Sequence, residues 1–110
     1  MTRRHRVTLT QDAAQDLQEI YEYIAAHDAP AKAEHVLDRI ERTLESLETF
    51  PERGGYTKEL LALGIRDFRE TYFKPYRLVY SIKDRDVTVY LIADGRRDMQ
   101  TLLQKRLLRA

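Results

Sequence analysis

Residues 67–93 read DFRETYFKPYRLVYSIKDRDVTVYLIA, and this stretch decides the fold. It is crowded with β-branched and aromatic residues and is cut by two turn signals, Lys74-Pro75 and Asp84-Arg85-Asp86. The pieces 67–73, 76–83 and 87–93 therefore read as strands, joined closely enough for antiparallel hairpins. Side chains alternate along a strand, so Leu78, Tyr80 and Ile82 share one face of the middle piece while Arg77, Val79 and Ser81 share the other. The last piece is apolar on both faces, which predicts a central, well-covered strand.

Upstream of this sheet the periodicity changes. Arg6-Val7-Thr8-Leu9 alternates as a short half-buried strand does. Thr10 then offers a helix N-cap, and Ala13, Leu17, Ile20, Tyr21 and Ile24 recur three and four residues apart, predicting an amphipathic helix over 11–27. After the break at Asp28-Ala29-Pro30, Ala33, Val36, Leu37, Ile40, Leu44 and Leu47 form the apolar stripe of a second helix, which Phe50-Pro51 stops. The short connection makes the two helices an antiparallel hairpin. Downstream, Asp94-Gly95 turns the chain, and Met99, Leu102, Leu103 and Leu107 predict a short closing helix with Lys105, Arg106 and Arg109 near its end. The order is β-α-α-β-β-β-α. It predicts a two-layer α+β domain in which the helical hairpin packs on a mostly antiparallel four-stranded sheet, with Arg77 looking out of a partly open second face.

With 110 residues, 43% of them hydrophobic and 34% charged, the chain supplies one domain and one core, and we treat 1–110 as a single unit. It contains no cysteine, which excludes thiolate chemistry and disulfides. No run of about 18 apolar residues is available to span a bilayer, and the opening Met1-Thr2-Arg3-Arg4-His5-Arg6 lacks the apolar core of a secretory signal. No membrane association and a cytoplasmic location are the expectation. The formal charge of +1 hides an asymmetry, because residues 1–10 carry +3, residues 11–52 carry −8 and residues 53–110 carry +6. Such a chain can present faces of opposite potential, the basic one suited to nucleic acid or to an acidic protein.

Common catalytic constellations do not fit. Ser46 and Ser81 lie in a helix and in mid-strand, without a Gly-x-Ser-x-Gly elbow. His5, His27 and His35 fall on separate elements without metal-ligand spacing, and no glycine-rich loop cradles a phosphate. No cofactor and no metal are expected. Glu41, Glu45 and Glu48 read as a solvated helix face. What remains is a set of arginines on or beside the sheet, Arg69, Arg77, Arg96 and Arg97, with Lys74, Tyr72 and Tyr76 among them. Guanidinium forks grip phosphate and aromatic rings stack on bases, so the set could bind RNA; it could equally bind an acidic protein. Alternatively Arg77 and Arg97 pair with carboxylates such as Glu70 and Asp98 and serve the fold.

The ordered set of features resembles a known family. A helical hairpin ending in Phe50-Pro51-Glu52-Arg53-Gly54, the strand Tyr76-Arg77-Leu78-Val79-Tyr80, and an apolar strand running into Asp94-Gly95-Arg96-Arg97-Asp98 look like the ParE/RelE superfamily of toxins from bacterial toxin-antitoxin systems. The likeness extends from about His5 to Leu107. It implies a cognate antitoxin that wraps the toxin and a growth-inhibiting target. RelE-type members cut messenger RNA on the ribosome, whereas ParE-type members inhibit DNA gyrase without hydrolysing anything.

In the RelE-like pattern Arg77 and Arg97 match the arginines that stabilise the cleavage transition state, with Arg69 the only residue offered where paired lysines fall. Leu103 aligns with the tyrosine or histidine of the closing segment and can neither accept nor donate a proton. The resemblance therefore implies a ParE-like gyrase inhibitor, with Arg69, Arg77, Arg96 and Arg97 as target-contacting residues and none catalytic. Two alternatives accompany it: a ribosome-dependent mRNA endoribonuclease using Arg77, Arg97 and Arg69, and a non-toxic member that only binds antitoxin or acts as a co-repressor.

Overall fold

The computed structural model describes residues 4–108, so Arg3 and Arg109 lie outside the described residues. β1 (Arg6–Leu9) leads directly into α1 (Gln11–His27), whose first turn is capped as the sequence predicts: Thr10 Oγ1 accepts from the Ala13 N–H at 3.1 Å. Pro30 opens α2 (Pro30–Ser46) at a position where its missing N–H costs nothing. The two helices lie against each other as a hairpin. Their facing stripes, Ala13 and Ile24 from α1 and Ala33, Val36, Ile40 and Leu44 from α2, are buried against one face of the sheet with Leu78, Tyr80, Val87, Val89 and Ile92.

The sheet has five strands rather than four. β2 (Gly55–Tyr56), β3 (Arg69–Phe73), β4 (Tyr76–Lys83) and β5 (Asp86–Asp94) join β1 in the order β1-β5-β4-β3-β2. The β1–β5 pair is parallel and the others are antiparallel. β5 lies inside the sheet, as its two apolar faces predict. β3 and β5 differ from the expected 67–73 and 87–93 only at their ends. The unexpected β2 is two residues long, too short to show alternation, and a 3₁₀ turn at Pro51–Arg53 leads into it.

One irregularity sets the faces of β5. Val79 lies opposite Leu91 but Tyr80 lies opposite Val89, so Tyr90 is an extra, bulged residue. The bulge reverses the alternation: Val87, Val89 and Ile92 face the helical hairpin, while Leu91 and Ala93 face the other way. That other face is not open. Leu60 of α3 (Lys58–Leu61) and Met99 and Leu103 of α4 (Met99–Leu107) cover it, forming a second core with Val79, Leu91 and Ala93. The expected two layers thus become a sheet with helices on both faces. α3 is absent from the sequence expectation because four residues carry no readable period.

β1 pairs only with Asp86–Val89, leaving the far half of β5 as an edge. A clamp closes it. Asp16 Oδ2 of α1 accepts from the Ile92 N–H at 3.0 Å, and Arg106 Nη1 of α4 donates to the Tyr90 carbonyl at 2.8 Å and to Asp16 Oδ2 at 2.8 Å. The clamp holds the Arg106 guanidinium, through its bond to Asp16, more firmly protonated than usual.

Candidate functional site

The four arginines do not converge. Alternation along β3 and β4 puts Arg69 and Arg77 on opposite faces of the sheet, and the turn after β5 carries Arg96 and Arg97. Arg69 is tied to the chain around β2. Its Nη1 donates to the Gly54 carbonyl at 2.8 Å, and its guanidinium lies 4.7 Å from the centre of the Tyr56 ring.

Arg77 is only 7% exposed, which corrects the expectation that it looks out of an open face. Its Nη1 and Nη2 donate to the two oxygens of Glu59 at 2.9 and 2.7 Å, and Nη2 also donates to Glu70 Oε1 at 2.5 Å. The covering residue Glu59 comes from the unpredicted α3, which is why the sequence left this face open. The pairing of Arg77 with Glu70 is the fold-serving alternative raised for it above. The hydrogen bonds hold Glu59 below its ordinary carboxylate range and push Arg77 upward. Tyr72, half of whose surface is exposed, donates its hydroxyl to Glu70. Burial, helped by that carboxylate, pushes the phenol up to about 12. One donor is left over, because Arg77 Nε is buried without a partner.

Arg96 and Arg97 are exposed. Arg96 folds back in its own turn, with Nη2 at 2.5 Å from Asp94 Oδ2, and holds Asp94 below its ordinary range. Arg97 has no side-chain hydrogen bond or ion pair among the described residues. Asp98, its suggested partner, instead caps α4 by accepting from the Thr101 N–H at 3.2 Å. Both arginines line a groove of about 1050 Å³ between the helical hairpin and the end of the sheet. Tyr76, Phe73 and Ile92 contribute apolar surface to it and Lys74 a further cation, while Tyr23 stands 65% exposed at its lip.

Leu103, at the position where the resemblance puts a proton carrier in cleaving members, is fully buried in the second core. Among the described residues no cluster of three or more histidines and carboxylates is placed to hold a metal. Two parts of this arrangement have no signal in the sequence. Glu59 sits in a helix too short to detect, and the Asp16–Arg106 clamp joins residues 90 positions apart with no motif to link them.

A helical hairpin packed on a five-stranded sheet whose first strand runs parallel to its last, followed by a short basic helix, is the fold of ParE- and RelE-type toxins. The chain aligns structurally with the chromosomal ParDE toxin-antitoxin system of P. aeruginosa at a TM-score of 0.68, with 18% identity, 82% of this chain and 95% of that chain covered. Against the toxin-antitoxin complex RelBE2 of Mycobacterium tuberculosis the TM-score is 0.62, with 19% identity and coverage of 86% and 94%. Sequence comparison separates the branches. The chain is 30% identical to Toxin ParE3 of Caulobacter vibrioides over 101 residues, which span 92% of this chain and 97% of that toxin. Residues 7–99 match the family described as the ParE toxin of type II toxin-antitoxin systems, parDE. The chain belongs to the ParE toxin family.

Proposed function

We propose that this toxin arrests growth by binding DNA gyrase through protein-protein contact, in the cytoplasm, and that a cognate antitoxin neutralises it. The observation that carries the reading is the state of Arg77. An arginine that stabilises a cleaving phosphodiester must present its donors to the substrate, whereas this one gives both terminal nitrogens to Glu59 and Glu70. With Leu103 buried as well, the ribonuclease alternative is left with exposed Arg97 but with Arg77 occupied and no proton carrier at position 103, which favours the binding reading. Arg96, Arg97 and Lys74 line the groove together with the carboxylates Asp16, Glu19, Asp28 and Asp94, and exposed Tyr23 stands at its lip, a mixed-charge surface with an aromatic anchor of the kind found in protein interfaces. The family assignment and the two structural neighbours, both toxin-antitoxin systems or complexes, support an antitoxin partner.

The test is supercoiling of relaxed plasmid by gyrase with purified toxin titrated in, and the product of the adjacent gene added as the reversal control. Inhibition reversed by that product is expected. Full supercoiling at a large toxin excess, with RNA cut on translating ribosomes, would move the assignment to the nuclease branch. Expression of the chain without growth arrest would point to the non-toxic, antitoxin-binding alternative.

A further inference from the structure

Most of the charges that line the groove between the helical hairpin and the end of the sheet are already neutralised within the chain. Asp28 pairs with Lys32 at 2.8 Å, Asp94 with Arg96 at 2.5 Å, and Asp16 with Arg106 at 2.8 Å. Lys74 and Arg97 are different. Both are exposed, and neither makes a side-chain hydrogen bond or an ion pair among the described residues. The wall formed by α1 has the opposite sign: Glu19 stands there beside the Asp16–Arg106 clamp, with the Gln15 amide 3.4 Å from its carboxylate.

The two cations without partners are held close together. Lys74 belongs to the turn between β3 and β4 and Arg97 to the turn after β5, and the Gly95 N–H ties these turns by donating to the Pro75 carbonyl at 2.8 Å. The tie is tightly packed, since a Cβ on Gly95 would lie 2.8 Å from Arg77 Cδ. The backbone that carries the cations is therefore ordered before any partner arrives, which lowers the entropy lost on docking. Phe73, Tyr76 and Ile92 of the sheet, with Ile20 and Ile24 of α1, give the groove its apolar surface. Tyr23 stands at the lip with its ring stacked on His27, 4.2 Å between centres.

On the reading that gyrase docks in this groove, we infer that the groove receives a protein segment with carboxylates at one end, set against Lys74 and Arg97, followed by large apolar side chains that cover Phe73, Tyr76 and Ile92. The charges dictate this order. A partner that covers Lys74 and Arg97 without supplying carboxylates leaves two cations desolvated and unpaired. A segment acidic along its whole length brings like charge against Glu19. Acidity is thus confined to the end that meets the two turns, and the apolar part lies along the floor that sheet and α1 share.

Charge reversal tests the inference with the full-length protein in the supercoiling assay. Lys74→Glu combined with Arg97→Glu should keep the wild-type Tm, because neither side chain has a partner to lose, and should raise the half-inhibitory concentration at least about tenfold. Lys58→Glu combined with Lys83→Glu changes the net charge equally on α3 and at the end of β4, and should inhibit as the wild type does. The segment itself is identified by replacing Tyr23 with p-benzoylphenylalanine and cross-linking to the gyrase holoenzyme under light. The captured peptide should carry Asp or Glu next to a run of apolar residues. A wild-type toxin that does not inhibit gyrase removes the target reading and this inference together. Inhibition retained by the Lys74 and Arg97 double variant overturns the inference alone, as does equal loss in both double variants. So does a captured peptide without carboxylates, or a double variant that inhibits gyrase normally but no longer binds the product of the adjacent gene, which would give the groove to the antitoxin.

Discussion

At the scale of single residues the chain has little tolerance where Gly54 meets the sheet. A Cβ at this position would lie 2.1 Å from the Glu70 carbonyl oxygen and 2.8 Å from the Tyr80 hydroxyl. The Tyr80 hydroxyl is itself fixed, donating to the Pro51 carbonyl at 2.5 Å. Gly54→Ala should therefore destabilise the protein by about 1–3 kcal/mol, read as a lower urea midpoint with an unchanged m-value. Arg77 has a larger effect for a different reason. Arg77→Ala abandons Glu70 in a buried site, and breaking such a pair costs about 3–5 kcal/mol. Loss of toxicity in that variant should track its loss of thermal stability, whereas Arg97→Ala should keep the wild-type Tm and still weaken gyrase inhibition. Glu59 adds a pH dependence whose sign is fixed. Its carboxyl titrates below the ordinary value of 4.5 in the folded protein, so its stabilisation is complete above that pH and is lost as pH falls through the folded value. Unfolding midpoints measured from pH 6 down to pH 3 should fall more steeply for wild type than for Glu59→Gln.

At the scale of elements, the clamp between α1 and α4 substitutes for the strand that β5 lacks beyond Val89. Asp16→Ala would leave the Ile92 N–H without its acceptor and Arg106 without its main partner. We expect a loss of about 1–3 kcal/mol, with faster hydrogen exchange at Ile92 and through α4 while α2 stays protected. The long elements are legible in the amino-acid sequence itself. α1 and α2 carry apolar stripes over 17 residues each, and β4 and β5 carry dense β-formers bounded by turn residues. What escapes the sequence is short or distant. α3 has four residues and β2 has two, neither long enough for a period to emerge. Without α3 the face that Arg77 occupies looks open and its guanidinium looks available. The bulge at Tyr90 leaves no mark either, since β5 is apolar enough to satisfy both alternations.

At the scale of the whole molecule, the acidic stretch 11–52 is confined to the helical hairpin and its exit turn, while the later, basic part of the chain builds most of the sheet and α4. Opposed potentials of this kind steer encounters over distances comparable to the Debye length, about 10 Å at 0.1 M salt. The association rate with the antitoxin should accordingly drop by roughly tenfold between low and high salt in stopped-flow measurements, with a much smaller change in the dissociation rate. The parallel pairing of β1 with β5 has a further consequence, in time rather than in space. Arg6–Leu9 leave the ribosome early, but their partners at Asp86–Val89 are made 80 residues later. At about 5–20 residues per second the first strand waits roughly 4–16 s for its place in the sheet. During that interval a growing chain cannot present the finished sheet to any target. The surface proposed above for target and antitoxin thus exists only once the C-terminal half of the sheet has been made and β1 has found its place beside β5.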